Sequence, residues 1–268
     1  MRTSDVIQGL WIGESLSDLE RLCVKSFIDN RHDFHLYCYG KVAGVPEGTV
    51  LKDANEVYDE DKIWRYSNGS PAGFANNFRY KLLFEKGGWW VDLDSFCYRP
   101  FDFDDELVFS SEMVEGVPLI NLAAVKVPPG HESMRKALEM GERLGGSNTG
   151  FGSTGPYMFS AVIKGLKLEK FVKDPDVFCP VPYERFRTLI DDPAPQLPDK
   201  TVSVHFWNEM WRESELDKNG KYFEGSFYET MKRRHLSARR KKRWWQVFTF
   251  HKIWREKEGI GKMVLPGV

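Results

Sequence analysis

Asp92 and Asp94 stand two apart, directly after the short aromatic run Trp89-Trp90-Val91. Side chains of an extended chain alternate between two faces, so both carboxylates point the same way and Leu93 between them is free to enter a core. Two like charges this close are costly unless a positive group lies between them. A hard divalent cation carrying a phosphate ligand supplies that charge. A carboxylate pair is also the equipment of a glycoside hydrolase, but residues two apart on one strand are badly placed to flank a glycosidic bond from opposite faces. A solvated turn at a strand end is the non-catalytic alternative.

Such a pair needs a stiff support on each side. A helix is expected from Pro71, with Phe74, Phe78, Leu82 and Leu83 or Phe84 facing inward, broken at Gly87-Gly88 before the strand 89–91. Arg79 lies one turn after Asn76 on that helix, so both can reach one ligand. Upstream, 6–13 reads as a strand, 15–30 as an amphipathic helix capped by Ser15, and 34–39 as a second strand. Strand, helix, strand at this spacing is a βαβ unit, which favours a parallel sheet with a ligand outside the carboxyl ends of its strands. Residues 52–73 are polar and irregular. Downstream come strands at 107–112 and 118–127, a helix at 132–144, and a glycine-rich stretch at 147–156 that lacks the Gly-Lys-Ser/Thr of a phosphate loop. A short helix follows at 157–164. Six prolines make 168–198 mostly loop, and 201–211 presents His205 at the end of a strand, followed by aromatics.

The run Phe78–Pro100 resembles the central motif of glycosyltransferase family 32, the Och1-like mannosyltransferases and related bacterial polysaccharide enzymes with an Asp-X-Asp (DXD) motif. Arg79, Tyr80, Leu83, Gly87, Gly88, Asp92, Asp94 and Pro100 stand at matching positions. The resemblance continues through Trp-Ile-Gly at 11–13, Asn121, the Pro-Gly-His ending at His131, Thr-Gly-Pro at 154–156, and a His closely followed by Trp at 205–207. It departs at Ala75-Asn76, where the family usually has Ser-Asp, and at Met210, where it has Ser before the last Trp.

The resemblance implies an α/β, GT-A-like nucleotide-diphosphosugar transferase fold, with a mixed, mostly parallel sheet flanked by helices. It implies that Trp11 stacks on a nucleotide base and that Asn76 and Arg79 lie against the donor. It makes His205 the third ligand, beside Asp92 and Asp94, of Mn²⁺ or Mg²⁺. Manganese accepts an imidazole beside carboxylates more readily than magnesium does. Asn208 and Trp211 are the implied phosphate contacts of that loop. Catalytic roles then fall to Asp92, Asp94 and Arg79, and the product linkage is expected to be retained.

Net charge is −1, yet residues 232–258 hold eleven Lys or Arg against two Glu, a local +9 on a body of −10. The division expected is a transferase domain at 1–231 and a basic aromatic tail at 232–268. Within 232–257, Trp244, Val247, Phe248 and Trp254 share one helical face, which suits an anionic membrane surface. A nucleic acid would attract the same charges, but nothing else in the chain offers a recognition module. Cys23, Cys38, Cys97 and Cys179 have no paired spacing and apolar surroundings, as buried free thiols do. There is no apolar run long enough to span a bilayer and no signal-peptide core. These features point to a cytoplasmic protein, peripheral on the inner face of a membrane. The expected activity is metal-dependent transfer of a sugar, a UDP-sugar being favoured, to a glycan or lipid-linked glycan hydroxyl in polysaccharide or glycolipid biosynthesis. The alternatives are a catalytically silent glycan- or membrane-binding module and a glycoside hydrolase.

Overall fold

The computed structural model describes residues 6–146, 150 and 152–237. The chain opens with β1 (Ile7–Trp11), α1 (Asp18–Asp29), β2 (Phe34–Cys38) and β3 (Thr49–Asp53). The long helix α2 (Ala72–Lys86) leads into β4 (Gly88–Val91) and the short β5 (Ser95–Cys97). The hairpin β6 (Val108–Val114) and β7 (Val117–Val127) follows, then α3 (Glu132–Leu144), α4 (Pro156–Gly165) and a single turn α5 (Pro175–Phe178). The chain returns through β8 (Ser203–His205), α6 (Asn208–Glu213) and α7 (Phe227–His235).

Six strands form one sheet in the order β3-β2-β1-β4-β7-β6, with the pairings β1–β2, β2–β3 and β1–β4 parallel and β4–β7 and β6–β7 antiparallel. The fold is the expected α/β layered architecture, a mixed, mostly parallel sheet flanked by helices. β5 and β8 pair separately as an antiparallel two-stranded sheet.

The core lies on both faces of the large sheet. On one face Leu19, Leu22 and Phe27 of α1 pack with Trp89, Val91, Leu93 and Phe96. On the other, Phe74, Phe78, Leu82 and Leu83 of α2 pack with Trp90, Val125 and Phe159. Consecutive tryptophans therefore enter opposite layers, as a central strand buried on both sides requires. Each fully buried side chain of this size contributes roughly 1.5–3 kcal/mol relative to exposure.

The helix-to-strand break is set by backbone geometry. Gly87 has φ 65° and Gly88 φ 87°, the left-handed region that favours glycine. A Cβ on Gly87 would also lie 2.5 Å from the backbone nitrogen of Pro129, so no other residue fits without moving that turn.

Three sequence expectations change in detail. The cap of α1 is Ser17, not Ser15, because Ser17 and Glu20 form a reciprocal capping box and Ser15 is spent on a bridge to Ala43. Part of the irregular stretch is β3, an edge strand whose Val50 and Leu51 are both exposed, so it carries no inside-outside alternation to read. The compact body runs through Leu236 rather than ending at 231, since α7 straddles that point. Lys232 donates to the carbonyl of Gly220 (2.8 Å), and His235 Nδ1 lies 2.7 Å from Asp29 Oδ2. The face of Trp244, Val247, Phe248 and Trp254 lies outside the described residues, as do residues 147–149 and 151 of the glycine-rich stretch.

Candidate functional site

The end of β4 delivers the carboxylates as alternation requires. Leu93 is buried in the α1-side core, and Asp92 and Asp94 both line a cavity of about 530 Å³. Asp92 sits on the same face as Trp90, whose indole Nε1 donates to Asp92 Oδ1 at 3.0 Å. Arg79 reaches the same oxygen from α2, Nη2 to Oδ1 at 3.0 Å, while its Nη1 donates to the carbonyl of Leu122 at 2.8 Å. The guanidinium also lies over the Trp90 ring, 5.0 Å from the centroid. Arg79 is thus clamped at three points, and Asp92 remains part of the cavity lining.

Asp94 is held from the other side of the site. The β5–β8 ladder pairs Ser95 with His205, which brings the imidazole beside the residue preceding Ser95. His205 Nε2 lies 3.1 Å from Asp94 Oδ1, and the backbone N–H of Asn208 donates to Asp94 Oδ2 at 2.7 Å. A third tie joins the backbones, Phe206 N–H to the carbonyl of Asp94 at 2.8 Å. Between them Trp207 adopts a left-handed conformation, φ 60° and ψ 59°, unusual for a bulky residue. Its Nε1 donates to the carbonyl of Val181 at 2.8 Å, and its ring lies 4.2 Å from that of His205. The turn that aims the Asn208 N–H at Asp94 is therefore anchored by packing.

The electrostatics follow from these neighbours. Burial pushes the Asp94 carboxyl up, but His205 and the Asn208 N–H outweigh it and hold the carboxyl down at about 2. Burial opposes charge on His205, yet Asp94 and the Cys179 thiol outweigh it, and the imidazole is raised well above 6.5. Without a metal the pair is an ion pair.

The donor set fits a divalent cation. One ligand atom each from Asp92, Asp94 and His205 can be chosen so that all lie within 4.8 Å of one another. Although His205 Nε2 is near Asp94, neither ring nitrogen has an aligned hydrogen-bond partner among the described residues, and Asn208 Oδ1 is likewise buried without one. Buried polar atoms are normally paired. An imidazole without an aligned partner beside two carboxylates suits a divalent cation.

The cavity wall contains Trp11, Arg79, Asp92, Asp94, His205 and Asn208 of the residues singled out in the sequence. Asn76 and Trp211 are not brought to it. Asn76 Nδ2 donates to Thr154 Oγ1 at 3.1 Å, while the Tyr80 hydroxyl donates to the Thr154 carbonyl at 2.8 Å, a buried knot between α2 and the turn before α4. Trp211 is 1 % exposed, donates through Nε1 to the carbonyl of Phe206 at 2.8 Å, and packs on Tyr222 and Tyr228. It supports the His205 loop from beneath. His131 accepts from the backbone N–H of Ser133 and caps α3. The four cysteines are free and buried. The cavity wall also holds charged residues that no local sequence pattern marks, among them Arg65, in an exposed loop, and Glu112, the one acid in the otherwise uncharged first five residues of β6.

Neither a family model nor a curated protein matches the chain. Among solved structures, the PaToxG glycosyltransferase is similar over 62% of this chain and 71% of its own, at 14% identity and a TM-score of 0.49. An active-site mutant of LgtC covers 75% and 86%, with 13% identity and a TM-score of 0.41. The UDP-bound glycosyltransferase domain of the YGT toxin covers 98% and 92%, with 9% identity and a TM-score of 0.38. At these values the likenesses are distant.

Proposed function

We propose that this protein is a metal-dependent glycosyltransferase that moves a sugar from a nucleotide diphosphate donor to a hydroxyl of a glycan or glycolipid. The observation that carries this reading is the convergence of Asp92, Asp94 and His205 at one end of a cavity that also holds Arg79 and Trp11. Asp92, Asp94 and His205 hold the cation, Mn²⁺ being favoured by the imidazole. When bound, the cation supplies Lewis-acid neutralisation of the leaving diphosphate. Arg79 fixes Asp92 and adds a permanent positive charge beside the donor. Trp11, partly buried on the wall with its Nε1 unpartnered, offers a ring face to the base and an N–H to a polar group. Asn208 holds Asp94 with its backbone N–H and lines the same cavity. Asn76 acts one layer away, through the Thr154 turn. The family 32 resemblance supports a retaining outcome and a role in polysaccharide or glycolipid synthesis.

The basic segment beyond α7 suits attachment to an anionic membrane, at about 1 kcal/mol per cation near the surface. No helix among the described residues is long and apolar enough to cross a bilayer. Sedimentation with phosphatidylserine vesicles, for the full chain against one ending at 237, tests that attachment.

The transferase reading is tested by calorimetric titration of UDP-glucose, UDP-galactose, UDP-N-acetylglucosamine and GDP-mannose, with and without Mn²⁺. Binding of at least one donor that requires the metal is expected. No binding of any donor in either condition overturns the reading in favour of a non-catalytic module, and sugar release from a glycan without a nucleotide overturns it in favour of a hydrolase.

A further inference from the structure

Glu112 is a buried carboxyl in the cavity wall that lies outside the Asp92–Asp94–His205 cluster and, among the described residues, forms no ion pair. It is 7 % exposed. A carboxyl taken out of water without full hydrogen bonding is costly, and such groups in a cleft are commonly kept for a ligand. The groups that bear on the charge of Glu112 are the Asn121 side chain, His205, Glu184 and Asp92. Burial dominates among these influences and raises its pKa above the ordinary 4.5.

The sheet fixes where Glu112 stands relative to the metal cluster. In the order β1-β4-β7-β6, the carboxylates leave the end of β4, Trp11 lies at the end of β1 on one side, and Glu112 lies on β6 on the other. Contacts cross from strand to strand beside the site: Asp92 N–H donates to the carbonyl of Ala123 on β7, the Ser110 hydroxyl on β6 donates to Asn121 Oδ1 on β7, and Glu112 pairs with Leu119 of β7 just past a register shift between Phe109 and Ser111. Strands are spaced by about 4.8 Å, so β1 and β6 are roughly 14 Å apart. That span matches a nucleoside diphosphate joined to one sugar ring. With the base at Trp11 and the diphosphate at the carboxylates, the ring falls at Glu112.

Building on the transferase reading above, we propose that Glu112 holds the transferred sugar by accepting hydrogen bonds from its hydroxyls, and thereby decides which sugar nucleotide the site accepts. A carboxylate accepts from two adjacent hydroxyls at once and donates to neither, so it reads their positions. A buried acceptor left unpaired by a sugar lacking the matching hydroxyl penalises that sugar, and site-built hydrogen bonds discriminate far better than apolar contacts do. Glu112 is a specificity residue in this scheme and takes no part in bond breaking.

The test compares a nucleotide diphosphate with its sugar conjugate on the full chain in Mn²⁺. The parent protein and Glu112→Gln, which keeps the side-chain shape, are titrated with UDP or GDP and with the parent's tightest donor from the panel above. Glu112→Ala is the second variant, and binding of the bare diphosphate reports that each site is folded. The expected result is diphosphate affinity within about twofold of the parent in both variants, with donor affinity reduced by about tenfold or more in Glu112→Ala. Donor affinity unchanged in both variants, or diphosphate affinity falling in parallel with it, overturns the assignment. A parent that binds neither diphosphate nor donor overturns the transferase reading itself, and this inference with it.

Discussion

The two carboxylates that meet at the site are neutralised in different ways. Asp92 is paired with the Arg79 guanidinium and is further pinned by the Trp90 indole. Asp94 is paired with His205, whose charge can be given up, and with a backbone N–H from a loop more than a hundred residues away in sequence. The first half is built within one helix–strand unit and is rigid. The second is assembled by the return of β8 and depends on a strained turn. In the proposed metal site, a cation would be held by Asp92, Asp94 and a neutral His205, so only the second half would have to give up a proton. On the proposed reading, the rigid half would set the position of a metal and the exchangeable half the pH at which it binds.

Removing Asp94 erases that exchangeable half and gives the largest expected effect. In Asp94→Ala, Mn²⁺-dependent donor affinity should fall by more than about a hundredfold, measured calorimetrically, since a ligand is lost and His205 loses its partner carboxylate. A decrease below about threefold would show that Asp94 is merely structural.

Breaking the rigid half should cost stability first. Arg79→Met leaves Asp92 without its permanent counter-charge, a loss of about 2 kcal/mol in urea unfolding. The figure sits below the usual range for a buried pair because the Asp92 side chain is 25% exposed. Adding Asp92→Asn to Arg79→Met should recover part of that loss. If the double variant is as unstable as the sum of the two single changes, the pair carries no coupling.

Acidity should separate the halves. Metal binding needs a neutral imidazole, so Mn²⁺ affinity should rise with pH up to the raised His205 value, about tenfold per unit, with one proton released per cation. Replacing His205 by Gln should remove that slope. The metal-free fold shows the opposite linkage. His205 stabilises it below the ordinary 6.5 and loses that contribution as pH climbs through its raised value. Asp94 stabilises it above the ordinary 3.8 and loses that contribution as pH falls through about 2. The pair therefore supports the metal-free protein best between about pH 4 and 6.5, and a thermal-melt series shows whether His205→Gln flattens that window.

The smallest change is at the turn. Trp207→Phe removes the Nε1 bond to Val181 and should cost about 1 kcal/mol in unfolding, with donor affinity changed by only a few-fold. No change in either quantity would mean that the turn is held by other contacts.

The rigid half was the legible half. Alternation around Leu93, the paired glycines and the apolar spacing of α2 are local, and each forms as its residue types dictate. His205 was recognisable by resemblance, but its contact with Asp94 follows from the register of β5 on β8, which no local pattern encodes. The Asn208 contribution comes from its backbone, to which side-chain identity is mute. Glu112 looked like any polar strand residue, because the sheet order that carries it to the cavity is a long-range property. Asn76 and Trp211 matched plausible contact positions and were drawn instead into a buried turn and a loop support. Their side chains found partners at the cavity's margin before any ligand is considered.

The most direct test of the metal centre is electron paramagnetic resonance of Mn²⁺ with UDP, on the parent and on Asp94→Asn at pH 7.5. The account predicts that the parent quenches the free-ion signal at one cation per chain and that Asp94→Asn leaves it nearly intact. Equal quenching by both proteins, or none by the parent, would contradict a cation held by Asp92, Asp94 and His205.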